Sequence, residues 1–353
     1  MDDALQQLRQ RVLAAHSAGT PLRLRGAGTK DFYGERCEGT QLDMRGYSGV
    51  VDYEPSELVL TARCGTSLAE IESLLARHGQ FLAFEPPAFG GDPTIGGVIA
   101  AGLSGPRRVQ AGAARDFVLG TVLLCAHGEL LHFGGKVIKN VAGFDLSRLL
   151  CGSLGILGAI TEVSLKVLPL PRLEQTLRFE LAESEALALF NRWAGQPLPI
   201  SATAWHAGEA WVRLSGAPSA LSTACRRLGG ELLTADAAAT LWRSLRDQTH
   251  AFFARASSLW RLSVPSTAAP LAAGDAQLIE WGGALRWCAS ALPAAELRAR
   301  AQVVGGSALD WRGGSAGARL HPLTPAVLEI HRRLKAHFDP RGIFNPGRLI
   351  AQL

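Results

Sequence analysis

The strongest constraint on this chain is a set of stretches in which side chains are almost absent. Asp92-Pro93-Thr94-Ile95-Gly96-Gly97-Val98-Ile99-Ala100-Ala101-Gly102 sets a glycine pair and an Ala-Ala-Gly run close together. Pro93-Thr94 suits a helix opening, whose free N–H groups and dipole attract an anion. The bare surface behind it admits either a close-packed element or a large flat group against the backbone. In Gly26-Ala27-Gly28-Thr29-Lys30, closely spaced glycines let N–H groups converge on phosphate oxygens, although a simple turn has the same composition. A third stretch, Gly152-Ser153-Leu154-Gly155-Ile156-Leu157-Gly158-Ala159-Ile160-Thr161-Glu162, runs from glycines into a strand. The fourth, Asp339-Pro340-Arg341-Gly342-Ile343-Phe344-Asn345-Pro346-Gly347-Arg348, is dense in turn residues close to the C-terminus. Chain ends normally fray, so a turn specified this closely predicts that the tail docks.

Several familiar readings of such glycines fail on single residues. A dinucleotide fingerprint would need glycine where Asp31 stands, and Gly135-Lys136 continues to Val137 instead of the hydroxyl residue of a Walker loop. Gly313-Gly314-Ser315-Ala316-Gly317 satisfies G-x-S-x-G, but Ala318-Arg319-Leu320-His321-Pro322 is no helix to complete a nucleophile elbow. The six cysteines never approach C-x-x-C spacing, so the sequence offers neither a zinc nor an iron–sulfur site, and a reduced, mostly buried set is expected. No two of the nine histidines stand at i and i+4, so helical metal spacing is absent too. His331 and His337 are expected to decorate a C-terminal helix.

Periodicity predicts an α+β chain in two parts. Leu5, Leu8, Val12 and Ala15 form one face of a first helix that Gly19 and Pro21 end, and Pro21–Arg25 then forms a strand entering the glycine loop. A strand over Glu57–Arg63 leads to Ser67-Leu68-Ala69-Glu70, a capping-box spacing, and the helix it opens should stop at Gly79. Phe117–Cys125 and Glu129–Phe133 read as a hairpin around His127-Gly128. After a strand over Ile160–Leu168, Pro169 and Pro171 mark a boundary. Beyond it, short strands (Glu174–Leu181, Ala210–Leu214, Ser258–Val264, Gln277–Trp281) alternate with helical stretches near 183–194, 218–228 and 236–249. Trp205, Trp211, Trp242, Trp260, Trp281 and Trp287 lie in this part, as core anchors or as the lining of a ligand pocket. No internal repeat stands out.

Composition narrows the function classes. At 353 residues, 47% hydrophobic and 19% charged, the chain can bury a large core, which argues against a disordered tail. The net charge of +5 would allow a polyanion partner, but the basic residues, five lysines and otherwise arginine, are scattered singly. No nucleic-acid surface is expected. Met1-Asp2-Asp3-Ala4 lacks the basic start and apolar run of a secretory signal, and Leu149–Ile160 is far short of the ~20 residues of a spanning helix. The expectation is a cytoplasmic protein that reaches a membrane only through partners.

In their order along the chain, 26–30, 92–102, 152–162 and 339–348, the four small-residue segments resemble the FAD-binding fold of the vanillyl-alcohol oxidase and p-cresol methylhydroxylase (PCMH) type, followed by the C-terminal domain of FAD-linked oxidases. Pro55-Ser56-Glu57-Leu58-Val59-Leu60-Thr61-Ala62-Arg63, Gly105-Pro106-Arg107-Arg108, Lys139-Asn140-Val141-Ala142-Gly143-Phe144-Asp145-Leu146-Ser147-Arg148-Leu149 and Trp281-Gly282-Gly283-Ala284-Leu285-Arg286-Trp287 resemble, more closely, the E-subunit family of bacterial glycolate oxidases. The resemblance spans essentially the whole chain. It implies a two-part PCMH-type FAD-binding domain at 1–170, a ferredoxin-like α+β cap at 171–320, and a helix and tail at 321–353 that return to the FAD domain.

It also implies residue roles. Arg25, Gly26, Ala27, Gly28, Thr29 and Lys30 would form the pyrophosphate loop. Relatives that attach FAD covalently use a histidine in this loop; Lys30 stands at or beside that place, so non-covalent FAD is expected. Pro86, Thr94, Ile95, Gly96, Gly97, Ala100 and Gly102 would follow the ribityl and isoalloxazine portion, Gly112, Asp116 and Val118 the adenosine half. Gly155 and Ile160 would close over it, and Asn345 would approach the ring. Catalytic relatives carry H-x-G-D-x-N-x-H, which this chain lacks. Arg286 remains as a cation that could face the flavin, or an arginine stacked on tryptophan. The implied function is an oxidoreductase subunit oxidising glycolate to glyoxylate, relaying electrons between a catalytic FAD subunit and an iron–sulfur subunit, with no metal of its own. Two alternatives stand beside it: a self-sufficient FAD-dependent 2-hydroxy-acid dehydrogenase, and a scaffold with a vestigial flavin site.

Overall fold

The computed structural model describes residues 2–135, 145–255, 258–274, 276–313 and 318–353. Most of the Lys139–Leu149 motif, and Gly314–Gly317 of the G-x-S-x-G match, lie outside these. Contacts divide the chain into one unit of Met1–Leu103, Ala113–Pro169 and Pro322–Leu353, and a second of Ser104–Gly112 and Leu170–His321. The expected unbroken 1–170 domain therefore departs from the structure over 104–112, which packs with the second unit. The short helix Arg108–Ala111 lies on the strand Ile200–His206, and the Trp281 indole donates to the Gly105 carbonyl at 3.0 Å.

In the first unit, local signals decide where helices begin and end. Asp2 accepts from the Ala4 N–H to open Asp3–Ala18, which buries Leu5, Leu8, Val12 and Ala15 and ends at Gly19 with φ 64°. Ser67 accepts from the Glu70 N–H at 3.1 Å to open Leu68–Arg77. A five-stranded antiparallel sheet has the order Val50–Glu54, Val59–Arg63, Ala159–Lys166, Val118–Leu124, Leu130–Gly134. Its last two strands are the expected hairpin. Leu22–Arg25 pairs in parallel with Thr40–Asp43, and Phe344 bridges to Leu22. Leu5, Leu8, Val12, Leu22, Leu42, Ile343 and Phe344 share one core, so the tail is part of the fold's interior.

The second unit is one eight-stranded antiparallel sheet, in the order Glu231–Leu232, Leu173–Glu180, Glu209–Gly216, Ile200–His206, Ala276–Glu280, Leu285–Ala289, Leu259–Ser263, Ser307–Arg312. Numbered along the chain, its first four strands run 4-1-3-2, with the helices Glu183–Ala194 and Pro218–Leu228 as crossovers, which is the ferredoxin-like arrangement. The last four run 2-3-1-4, with Ala294–Val303 as the second crossover and no helix among the described residues of the first. The expected single cap is thus two ferredoxin-like halves joined edge to edge where Ala204 faces Glu280. A repeat of topology needs only matching strand pairing, so no residue-level repeat betrays it. Trp211, Trp242, Trp260, Trp281 and Trp287 are buried, which favours the core reading of the tryptophans; Trp205 is half-buried and donates to Leu181.

Candidate cofactor cleft

Three of the small-residue segments and the tail meet around one cleft of the first unit, about 790 Å³ including the space at its open mouth. Small residues are required wherever one segment crosses another. A Cβ on Gly26 would stand 2.2 Å from Thr94 Oγ1, which presses the loop against the cap of the helix Ile95–Ala101. At Gly28, φ is 77° and a Cβ would stand 2.2 Å from the Arg25 guanidinium. Gly96 lies against Cys64, at 2.5 Å between the Cβ positions, so this helix turn sits flush on the end of a strand. Gly97 is different: a Cβ there would meet only Thr94 Oγ1, at 3.2 Å, and otherwise open space. The helix thus points the Cβ position of Gly96 at Cys64 and that of Gly97 into open space, while both residues line the cleft.

The tail completes the wall. Asn345 Oδ1 accepts from the Leu24 N–H and its Nδ2 donates to the Leu154 carbonyl, both at 2.7 Å, while its own N–H donates to Leu22. Its amide therefore ties the strand, the glycine segment and the tail together. Gly155 is needed behind it, since a Cβ there would come within 2.8 Å of Asn345 Nδ2. Arg348 donates to the carbonyls of Glu35, Lys30 and Asp31 at 2.8–3.1 Å and so braces the far side of the loop.

Charge at the loop is net positive. Arg25, Lys30 and Arg348 line the cleft with one acid, Asp31, which pairs with Arg25 at 2.8 Å. Lys30 Nζ is 3.3 Å from Thr29 Oγ1 and 5.5 Å from the centre of the Phe89 ring. Cys64, on the wall, is chemically quiet: burial pushes its thiol up to about 12. A cation-rich glycine loop beside a bare helix face fits a diphosphate carrying a flat ring system. The residues present suit FAD.

Of the residues assigned from sequence, Arg25 through Lys30, Thr94, Gly96, Gly97, Ala100, Gly155, Ile160 and Asn345 line this cleft. Six do not. Ile95 is fully buried on the core side of its helix; Gly102 ends that helix and packs on Gly152; Pro86 lies buried in a loop. Gly112 closes Arg108–Ala111 in the second unit, Asp116 accepts from the Ala113 N–H at 2.8 Å, and Val118 is buried at the start of its strand. Cys64, Met44, Leu154, Gly158 and Arg348 line the cleft without having been assigned. Gly158 and Arg348 belong to motifs the sequence singled out, whereas Cys64 and Met44 carry no local signal.

Arg286 requires a correction. It is fully buried in the second unit, and its guanidinium donates to the carbonyls of Gly283 at 3.1 Å, Ala269 at 2.7 Å, and Ala268. Burial lowers its pKa, and three of its five donors go to backbone carbonyls, so it serves as a structural tie within this unit and not as an exposed cation. Other arginines lie over tryptophan rings: Arg108 over Trp281 at 4.4 Å, Arg213 over Trp242 at 4.9 Å, and Arg261 within 5.3–6.0 Å of Trp281, Trp287 and Trp311. Among the described residues no group of three or more His, Cys, Asp or Glu could hold a metal ion. No described helix is long and apolar enough to cross a membrane.

Residues 4–134 match the FAD binding domain family, and residues 322–349 match the C-terminal domain of FAD linked oxidases. Over 351 residues, 99% of each chain, the protein is 44% identical to glycolate oxidase subunit GlcE of Escherichia coli (strain K12). The chain belongs to the GlcE family. Like other proteins with the FAD binding domain, this GlcE-family chain uses FAD as its cofactor. It is also 32% identical over 160 residues to glycolate oxidase subunit GlcD of Bacillus subtilis, covering 44% of this chain and 34% of that one. A D-lactate dehydrogenase of Archaeoglobus fulgidus is 31% identical over 157 residues, again 44% of this chain and 35% of that one. Among solved structures, an alkyldihydroxyacetonephosphate synthase superposes with a TM-score of 0.67 at 14% identity, covering 97% of the GlcE-family chain and 74% of the synthase, which shows a shared fold.

Proposed function

We propose that this chain is the FAD-binding subunit of a multi-subunit glycolate oxidase, that it holds FAD non-covalently, and that it relays electrons between a catalytic flavoprotein subunit and an iron–sulfur subunit. The observation that carries the reading is the cleft itself: a complete small-residue cradle with an excess of cations, in a chain related over its whole length to a glycolate oxidase subunit.

Within this reading Arg25, Lys30 and Arg348 supply the positive field for the diphosphate, and the loop Gly26–Thr29 brings backbone close to it. Gly97 and Ala100 keep a wall flat enough for the ring system, and Asn345 with Leu154 closes that wall from the tail. Bound FAD supplies the redox chemistry; the chain binds and orients it. The first step, glycolate to glyoxylate, is assigned to the partner flavoprotein, because the sequence lacks the paired-histidine motif of catalytic relatives. Contact with a membrane is assigned to the assembled complex.

The purified chain should be yellow, and FAD at a hundredfold excess over its dissociation constant should add about 2.7 kcal/mol of stability. Glycolate should bleach the flavin of the assembled complex and leave that of the single chain oxidised. Bleaching of the isolated chain would decide for a self-sufficient dehydrogenase. A colourless chain with no FAD-dependent thermal shift would sink the cofactor assignment, and counting flavins per native complex would test the relay.

A further inference from the structure

We propose that Lys335 and Asp339 form a buried latch that positions the C-terminal tail as a wall of the FAD cleft, so that cofactor affinity depends on an ion pair whose residues do not line it. The inference rests on the cleft being the FAD site. Lys335 Nζ donates at 2.7 Å to the Ile156 carbonyl, the Phe344 carbonyl and Asp339 Oδ2. An ammonium has three N–H donors, and each is used on a different piece of chain. Ile156 follows Leu154 and Gly155, and Phe344 precedes Asn345; all three neighbours line the cleft. Asp339 answers with Oδ1 accepting from the Ile343 N–H at 3.0 Å and Oδ2 from the Phe344 N–H at 2.7 Å.

The pair sits where the helix Pro325–Phe338 gives way to the tail, with Asp339 2% and Lys335 7% exposed. Burying these charges is costly, and hydrophobic side chains could fill the same volume at less cost. What they add is direction. The carboxylate sets the turn after the helix, and the ammonium fixes the spacing between the glycine segment and the tail at the level of Asn345. Arg348, three residues on, carries the same alignment to the Lys30 and Asp31 carbonyls. Lys335 is a positioning residue: it acts on the cofactor only through Asn345, Leu154 and the loop.

The test compares Lys335→Met with Val12→Ala, a cavity variant in the core of the first unit whose residue neither lines the cleft nor bonds to the latch. Asp339→Asn, which keeps the volume and one carbonyl oxygen, serves as a second latch variant should Lys335→Met fold poorly. Thermal midpoints of the apoproteins and FAD dissociation constants are measured well below those midpoints. The expected result is a lower midpoint for all variants, but FAD binding weakened about tenfold or more only in the latch variants. Their bound flavin should also fluoresce more like free FAD. Latch variants that bind FAD within about twofold of Val12→Ala, with unchanged fluorescence, would reduce the pair to a stability element. A wild-type chain that does not bind FAD would overturn the cofactor reading together with the latch.

Discussion

Gly97→Leu separates cofactor binding from folding more cleanly than any other change in the cleft. A side chain at this position leaves the backbone toward open space, with Thr94 Oγ1 at 3.2 Å as its one near neighbour, so the apoprotein has room for it. Leucine in a helix is favoured over glycine by up to ~0.8 kcal/mol, against a displacement of the Thr94 hydroxyl by a few tenths of an ångström. The apoprotein should therefore be as stable as wild type or slightly more so. The same side chain fills the wall that FAD would cover, and a hundredfold loss of affinity is the expected scale. At an FAD concentration a hundred times the wild-type dissociation constant, wild type gains about 2.7 kcal/mol and the variant only about 0.4. At about 2 °C per kcal/mol for a large chain, the missing shift is roughly 4–5 °C in a thermal scan with and without FAD. Gly96→Ala supplies the contrast: its Cβ would meet Cys64 Cβ at 2.5 Å, so it should lose about 1–3 kcal/mol without FAD present. A Gly97→Leu protein that keeps the full FAD shift would refute the placement of the cofactor on this helix face.

Thr94→Ala removes the hydroxyl that caps the Gly97 N–H, and should cost about 1 kcal/mol in urea unfolding of the apoprotein. Asn345→Ala leaves the Leu24 N–H and the Leu154 carbonyl without their partner; a loss of roughly 2–4 kcal/mol is expected, with weaker FAD binding in the same titration. Burial pushes the Glu174 carboxyl up, but the Arg107 and Arg213 guanidiniums and the Ser215 hydroxyl hold it below its ordinary 4.5. Its folded value is therefore the depressed one, so the stability it contributes is present above 4.5 and lost as pH falls through the folded value. Glu174→Gln should flatten the acid limb of urea midpoints measured between about pH 3 and 6, and an unchanged limb would show that other carboxylates set it.

Much of the first unit was legible because its signals are local. Ser67 and Gly19 act on an N–H group or a dihedral within a few residues, so helix ends near 68 and 18 follow from the order of residue types. The short strands Thr40–Asp43 and Val50–Glu54 were not legible, and the second shows half-exposed and exposed side chains with no alternation to read. Within the cleft, glycine was a sound guide to where segments cross but not to which face matters. Gly96 and Gly97 look alike in sequence, and only the position of Cys64 tells them apart. Arg286 illustrates the opposite failure: a charged residue in a strand suggested chemistry, and three backbone carbonyls had already claimed it.

The sequence by itself determined the α+β class, the small-residue cradle, the change of character after Pro169, and the chemical family to which those motifs point. These rest on short-range sterics and capping, which every copy of the same local sequence would share. Tertiary structure alone decided which backbone groups the docked tail ties together, that the cap is a doubled 4-1-3-2 sheet, and that Lys335 faces inward. Those outcomes depend on groups brought together across the chain, such as Asn345 on Leu24 and Lys335 on Ile156, which lie 321 and 179 residues apart. Hydrogen bonds of that span leave no periodicity in the sequence, because the buried partner on either side is a backbone group that every residue type carries.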